Sequence, residues 1–436
     1  MGGECMKTRQ VVVVAALLMG AAVAEPLRAQ GTYLSSGGPV NQGMGGASTA
    51  APIDAIGALY WNPATISALP SELAFGVGLL LPSVEVSSSI TGLASGTSTA
   101  EPGVSILPTV GWVHQVEESR LTFGLGVFAV GGYKSNFAAS TTNPLFLPQS
   151  NAPGVPGGFG RVHTGSEFYQ IAPAVSVALN NRLSIGFGPT LTLGQVFMDP
   201  LFTAAPDDAD GSGAARYPSG RGTRVHWGGG AQIGLYYIGE RGWHVGFSLK
   251  SPQWMEDFRF NTEDETGLPR VGRASSDLPA IASLGIAYSG FERLVVAIDV
   301  RYFDYKNTDG WGPHGYNADG SLRGLGMSSV MSASAGVQVE LNESRFVRFG
   351  YTFSQNPYQS AEATAAALAA LFYQHQFHIG YSHKLSDRVA FNIAYSYWPR
   401  ATLSGPIATP AGVIPGSNVT TRVDVHHATF GVSVKY

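Results

Sequence analysis

From Glu72 to the C-terminus the chain alternates apolar positions with polar or small ones. Leu183, Ile185, Phe187, Leu191 and Leu193 alternate with Ser184, Gly186, Gly188, Thr190 and Thr192. Leu294, Val296, Ile298, Val300 and Tyr302 alternate with Val295, Ala297, Asp299, Arg301 and Phe303. Val389, Phe391, Ile393, Tyr395 and Tyr397 do the same with Ala390, Asn392, Ala394 and Ser396. A period of two puts successive side chains on opposite faces, so each run reads as a strand with one apolar face. The pattern predicts fourteen strands, near 72–82, 104–116, 119–131, 166–179, 182–197, 223–238, 242–251, 277–289, 293–306, 328–341, 345–356, 373–385, 388–399 and 422–436. Many are 12 to 15 residues long, where strands of soluble domains average about 5–6.

The connections alternate strictly. Tight turns fall at Glu117-Glu118, Asn180-Asn181, Gly239 to Gly242, Gly290 to Glu292, Asn342 to Ser344 and Ser386-Asp387. Between them lie long loops near 83–103, 132–165, 198–222, 252–276, 307–327, 357–372 and 400–421. A soluble sandwich also alternates along its strands, but short turns on one side and long loops on the other describe an all-β transmembrane antiparallel barrel. An even strand count brings both termini to the short-turn side. Closure leaves no unpaired edge in lipid. Trp112, Trp227, Tyr237, Trp243, Tyr288, Tyr302, Tyr397 and Trp398 stand near strand ends, as interfacial aromatic girdles require.

One segment breaks the period. Asn41 to Leu69 is rich in Gly, Ala and Pro, yet carries Met44, Ile53, Ile56, Leu59, Tyr60 and Trp61, which need cover. Too apolar for a linker and too small-sided to fold alone, it is expected to pack inside the barrel as a plug, where a polar lumen satisfies irregular backbone. The expected division is residues 1–29 as an export signal, 30–71 as plug and 72–436 as barrel. Lys7 and Arg9 precede an apolar run from Val11 to Ala24, with small residues for cleavage after Ala24 or Ala29. Met6 offers a second start.

Composition narrows the chemistry. Charged residues are 13% of the chain, about half the usual share of roughly 25%. The net charge of −4 gives no basic field for nucleic acid. Cys5 is the sole cysteine, which excludes an intrachain disulfide. There is no nucleophile elbow and no Gly-rich phosphate loop, so no enzyme and no cofactor is expected. His426-His427 and His375/His378 point to opposite strand faces and form no metal site. Asp207 to Gly211 resembles part of a calcium loop without its distal Glu; it reads as a solvated loop with no metal expected, weak calcium binding being its alternative.

The small-residue segment, its Gly45-Gly46 and Asn62-Pro63-Ala64 motifs, the strand count and the stretch Asp277 to Tyr288 together resemble the FadL/TodX-type family. The resemblance spans about residues 31–436. It implies an outer-membrane passive transporter for hydrophobic compounds, such as long-chain fatty acids or aromatic hydrocarbons, with capture by loops, plug-gated passage and lateral release. Gly131 and Gly132 would supply the kink for lateral exit, since Gly within a strand marks a bulge or close approach; equally, they could mark the strand's end. Leu145, Phe146, Leu147, Leu368, Leu371 and Phe372 would line the capture groove, the latter three on a short helix after a Ser360 cap. Their alternative is a lid of loops packed on each other. Arg301 and Arg348 face the lumen, where each could meet a ligand carboxylate or hold the plug. The stretch Phe197-Met198-Asp199-Pro200 after the fifth strand carries no basic residue, which leaves a neutral ligand open. Expected partners are hydrophobic small molecules, outer-membrane lipid and, through the C-terminal aromatic Tyr436, the barrel assembly machinery. A PorV-type secretion barrel that binds protein clients resembles the same motifs and is the alternative.

Overall fold

The structure is a computed structural model that describes residues 31–149, 157–213, 215–220 and 224–436. The expected signal segment lies outside these residues. The barrel staves are β1 (Glu72–Ile90), β2 (Ser105–Gln115), β3 (Leu121–Phe137), β4 (Val162–Ala178), β5 (Leu183–Asp199), β6 (His226–Ile238) and β7 (Trp243–Lys250). They continue with β8 (Ile281–Phe291), β9 (Leu294–Phe303), β10 (Val330–Asn342), β11 (Arg345–Ser354), β12 (His375–Lys384), β13 (Val389–Gly405) and β14 (Ser417–Lys435). Each pairs antiparallel with its chain neighbours, and β14 pairs with β1, from Glu72 opposite Lys435 to Ile90 opposite Ser417. The ring is therefore a closed fourteen-stranded barrel. Among the described residues no helix is long and apolar enough to cross a membrane.

The alternation read from the sequence sets the faces. Phe75, Val77, Phe187, Ile233, Leu284, Ile298, Phe349 and Phe430 are exposed on the outer wall, which is where lipid covers them. Their neighbours Thr190, Gln232, Ser283, Asp299, Thr352 and Thr429 are buried inside. Of the expected girdle residues Trp398 departs: it is buried, next to outward Tyr397, and packs on Tyr373 at 4.3 Å between ring centres. Strand parity, not nearness to the strand end, decides its face.

The strands run further on the long-loop side than the alternation shows. β1 continues to Ile90 and β14 begins at Ser417; with Ala94–Thr99 they form a sheet standing above the hydrophobic band. The outer face there is Ser-, Thr- and Glu-bearing and the buried face mixes Val84, Val86 and Val419 with Ser88 and Thr421, so the hydrophobic period is weak. The loop after β7 contains a hairpin, Phe258–Glu263 with Pro269–Ala274.

Residues 31–51 are buried throughout, as are residues 54–66. They form the plug, with α1 (Gly38–Gly43), α2 (Ala55–Trp61) and a 3-10 turn (Pro63–Ala68). Asp54 caps α2, its carboxylate accepting from the Gly57 amide at 3.3 Å, the role for which Asp is favoured at a helix start. The wall answers the plug with missing side chains. A Cβ on Gly234 would lie 1.9 Å from Asn62 Oδ1, one on Gly246 1.9 Å from the Thr49 carbonyl, and one on Gly350 2.1 Å from the Gly45 amide nitrogen. Gly111 and Gly186 face Ile56 and Ala64 in the same way. No side chain fits at these places.

Candidate functional site

Three features make up the site: the latch that holds the plug, a gap in the wall, and a cavity among the loops. At the latch, Asp299 and Arg301 of β9 are fully buried and form an ion pair. The Asp299 carboxylate also accepts the Ser48 and Thr49 amides, each at 2.9 Å, and the Thr49 hydroxyl at 2.8 Å. Arg301 donates to the Gly46 carbonyl at 2.7 Å and lies over the Trp61 ring, 3.7 Å from its centre. A buried charge must be paired and hydrogen-bonded to be tolerated, and here the plug backbone supplies those bonds. Arg301 is thus occupied by the plug. Arg348 donates to Gln338 at 2.7 Å and Ser382 at 2.6 Å, in a cavity on the short-turn side with Asp54 and Glu72. Neither arginine faces the loop cavity.

The plug motif is pinned by its own side chain. Asn62 accepts from the Ala64 amide at 3.0 Å and donates to Thr49 at 2.8 Å and to the wall carbonyl of Leu235 at 3.0 Å. Pro63 follows at the first position of the 3-10 turn, where its lack of an N–H costs nothing. Gly46 has φ +81 and a Cβ there would stand 2.0 Å from the Ser35 carbonyl. Gly45 has φ +63, and its carbonyl accepts from Thr352 at 2.6 Å. Burial holds Asp54 protonated to unusually high pH, with the neighbouring Glu72 charge adding to the effect and raising its pKa to about 7.

The wall opens between β2 and β3. Their pairing runs from Gln115 opposite Thr122 to Thr109 opposite Phe128 and stops there. β2 continues against β1 to Ser105, and β3 continues against β4 to Phe137. A register shift between Ala129 and Gly131 kinks β3 at the glycine pair, so the strand bends there rather than ending. Gly132 has φ +147 and leaves no room for a Cβ beside the Ser166 carbonyl. The plug's first residues run along this bent edge. Leu34 donates to Val130 at 2.8 Å, and Gly132 donates to Thr32 at 3.1 Å. Tyr33 is anchored by its amide on the Tyr305 hydroxyl at 3.0 Å, and its own hydroxyl accepts from Lys250 at 3.2 Å.

Behind this gap lies a narrow cavity of about 60 Å³ whose lining includes Leu34, Leu107, Gly131, Leu371, Trp398 and Val423. A roomier one of about 360 Å³ lies among the loops, over Tyr133, Val196, Met198, Trp311 and Leu325.

The loop residues singled out by sequence separate here. Leu371 lines the wall cavity. Leu368 and Phe372 are buried in the core beneath it, and the helix is Ala363–Leu368, entered through a capping box of Gln359 and Glu362 rather than a Ser360 cap. Leu145 and Phe146 are buried in their own loop, with Phe146 stacked on Phe137 at 4.5 Å, and Leu147 is half-buried beside them. They form a lid. The sequence pattern does not single out Tyr133, Trp311, Trp398 and Leu34 as lining residues; the placement of Tyr133 directly after the glycine pair is the one available signal. Asp208, Asp210 and Glu265 bring carboxylate oxygens within 4.8 Å of one another. The distal acid absent from the local motif thus comes from the hairpin, with Arg216 at 3.3 Å from Glu265.

The model of the outer membrane protein transport protein family (OMPP1/FadL/TodX) matches residues 20–436. No curated protein matches the chain. The Pseudomonas putida toluene transporter TodX shares 16% identity, covering 94% of this chain and 100% of its own, with a TM-score of 0.65. A FadL homologue of Pseudomonas aeruginosa shares 15% over 93% of this chain and 99% of its own, with a TM-score of 0.65. The Ralstonia pickettii toluene transporter TbuX shares 16% over 92% and 98%, with a TM-score of 0.63. At such identities the likeness is one of fold.

Proposed function

This chain belongs to the outer membrane protein transport family (OMPP1/FadL/TodX), and from that premise we propose that it carries small hydrophobic molecules sideways into the bilayer through the gap between β2 and β3. It works in the outer membrane as a passive conduit, and no chemical step is assigned to it. The observation that carries the reading is the interrupted β2–β3 pairing, backed by an apolar cavity and edged by the plug's first residues. A ligand that enters the wall cavity meets lipid without crossing the plugged lumen. The driving force is transfer of its own apolar surface out of water, roughly 0.8 kcal/mol per methylene. The latch on Asp299 and Arg301 keeps the lumen closed to solutes meanwhile. The family match favours this reading over a client-binding secretion barrel. The loop cavity serves for capture, the lid loop of Leu145 and Phe146 shields it, and Tyr436 serves delivery to the assembly machinery.

The test staples the wall. With the sole native cysteine at position 5, Leu107→Cys and Ala129→Cys can be joined by a reversible thiol crosslinker. Uptake of radiolabelled toluene or palmitate by expressing cells should fall to the vector background when linked and return on reduction. Undiminished uptake with the wall stapled would place the exit at the periplasmic mouth.

A further inference from the structure

The loop cavity and the wall cavity meet at two residues, Tyr133 and Ser166, which line both. They are partners across the β3–β4 ladder. Ser166 is small; the Tyr133 ring is the bulk of the partition. On the loop side it stands edge-on to Trp311, with ring centres 6.2 Å apart. Trp311 is itself fixed, buried and donating its indole N–H to the Asp277 carbonyl at 2.7 Å. One jaw is therefore rigid. The other follows Gly131 and Gly132 at the kink, where β3 already departs from regular register. The two volumes differ in the sense a partition requires. About 360 Å³ on the loop side lies within the usual ~300–1,000 Å³ of a small-molecule pocket, whereas about 60 Å³ on the wall side is far below it. A ligand can rest above Tyr133 but can advance only as the ring gives way.

We propose that Tyr133 is the sieve of this transporter: its ring, closing against Trp311, sets the width of molecule that passes from the loop cavity to the wall gap. This rests on the lateral-exit reading above. The ring does the sorting by size, and the hydroxyl, which meets the Thr164 side chain, only parks it. Narrow molecules slip past the ring edge; broad ones stall in the loop cavity. Selectivity then lies in passage, not in capture.

The experiment measures uptake of a narrow probe (toluene) and a broad one (pyrene) in cells expressing wild type, Tyr133→Ala, Tyr133→Trp or Tyr133→Phe at matched surface levels. The readout is the broad-to-narrow ratio of initial rates. Tyr133→Ala should raise that ratio about five- to tenfold, Tyr133→Trp should lower it by a similar factor, and Tyr133→Phe should leave it near wild type. Should the Ala variant not assemble, the Trp variant alone decides by its lowered ratio. Equal ratios in wild type and the assembled Ala or Trp variant overturn the sieve. A rise of the ratio in Tyr133→Phe equal to that in Tyr133→Ala overturns the assignment to the ring. The stapled wall separates this from the broader reading: if stapling stops uptake while ratios stay flat, only the sieve fails; if stapling leaves uptake intact, the lateral route fails.

Discussion

Two carboxylates set the condition of the plug. Asp299 receives two amides, a hydroxyl and a guanidinium in the barrel interior. Asp299→Asn keeps its shape but leaves Arg301 buried without a counter-charge, a change that typically costs 3–5 kcal/mol. The plug should then release more often, seen as larger or more frequent single-channel openings in planar bilayers while the barrel still assembles. Asp54 behaves differently. Its pKa is pushed up to about 7 in the folded protein, well above the ordinary carboxylate range, chiefly through burial, so the folded plug prefers it neutral. Its contribution to plug docking is full below the unfolded value, declines as pH rises towards 7, and is flat above that. Arg348 beside it works in the opposite sense and Glu72 in the same sense. Protease cleavage within the plug should therefore be slower at pH 5 than at pH 8, and Asp54→Asn should flatten the difference; an unchanged pH dependence in that variant would assign the effect to another group.

At the scale of elements, the plug's first residues behave as a short added strand on β3. A bent strand with free amides and carbonyls invites such pairing, and Thr32 to Leu34 supply it. A Cβ on Gly131 would lie 2.5 Å from the Thr32 carbonyl, whereas one on Gly132 would strike β4 at the Ser166 carbonyl, 2.2 Å away. The two glycines thus have different jobs. Gly131→Ala should displace the added strand and leave the barrel intact, so a thiol-reactive dye at Leu34→Cys should label faster while heat-modifiable migration stays normal. No change in labelling would mean that the strand accommodates the methyl group. None of this is local in sequence: Gly131 signals a kink, but its partner lies about a hundred residues away.

For the molecule as a whole, the barrel was legible because its solvent changes sign. Lipid outside and a polar lumen inside write a two-residue period into every stave, and the inward placing of Asp299 and Arg301 follows from it. What those two hold does not, since the Gly46 carbonyl and the Ser48 and Thr49 amides are backbone groups that every sequence offers. The strand extensions at 83–90 and 417–421 read as loop in the sequence because their buried face mixes Val84, Val86 and Val419 with Ser88 and Thr421, which leaves too few apolar residues to set a hydrophobic period. Leu145 and Phe146 are apolar and buried, but that Phe146 stacks on Phe137 of β3 and the Leu145 amide meets Ser88 of β1 is not written in their local sequence. The wall cavity draws Leu34, Leu107, Leu371 and Trp398 from separate parts of the chain, and only tertiary structure brings them together.

The wall glycines opposite Asn62, Thr49 and Gly45 have a consequence for how such proteins diverge. Mould and casting are cut to each other within a fraction of an atom, on staves spread around the ring. A plug borrowed from a relative sharing some 16% of positions would arrive with different small and large residues and find the recesses in the wrong places. Plug and barrel are therefore not interchangeable parts: they must change in step.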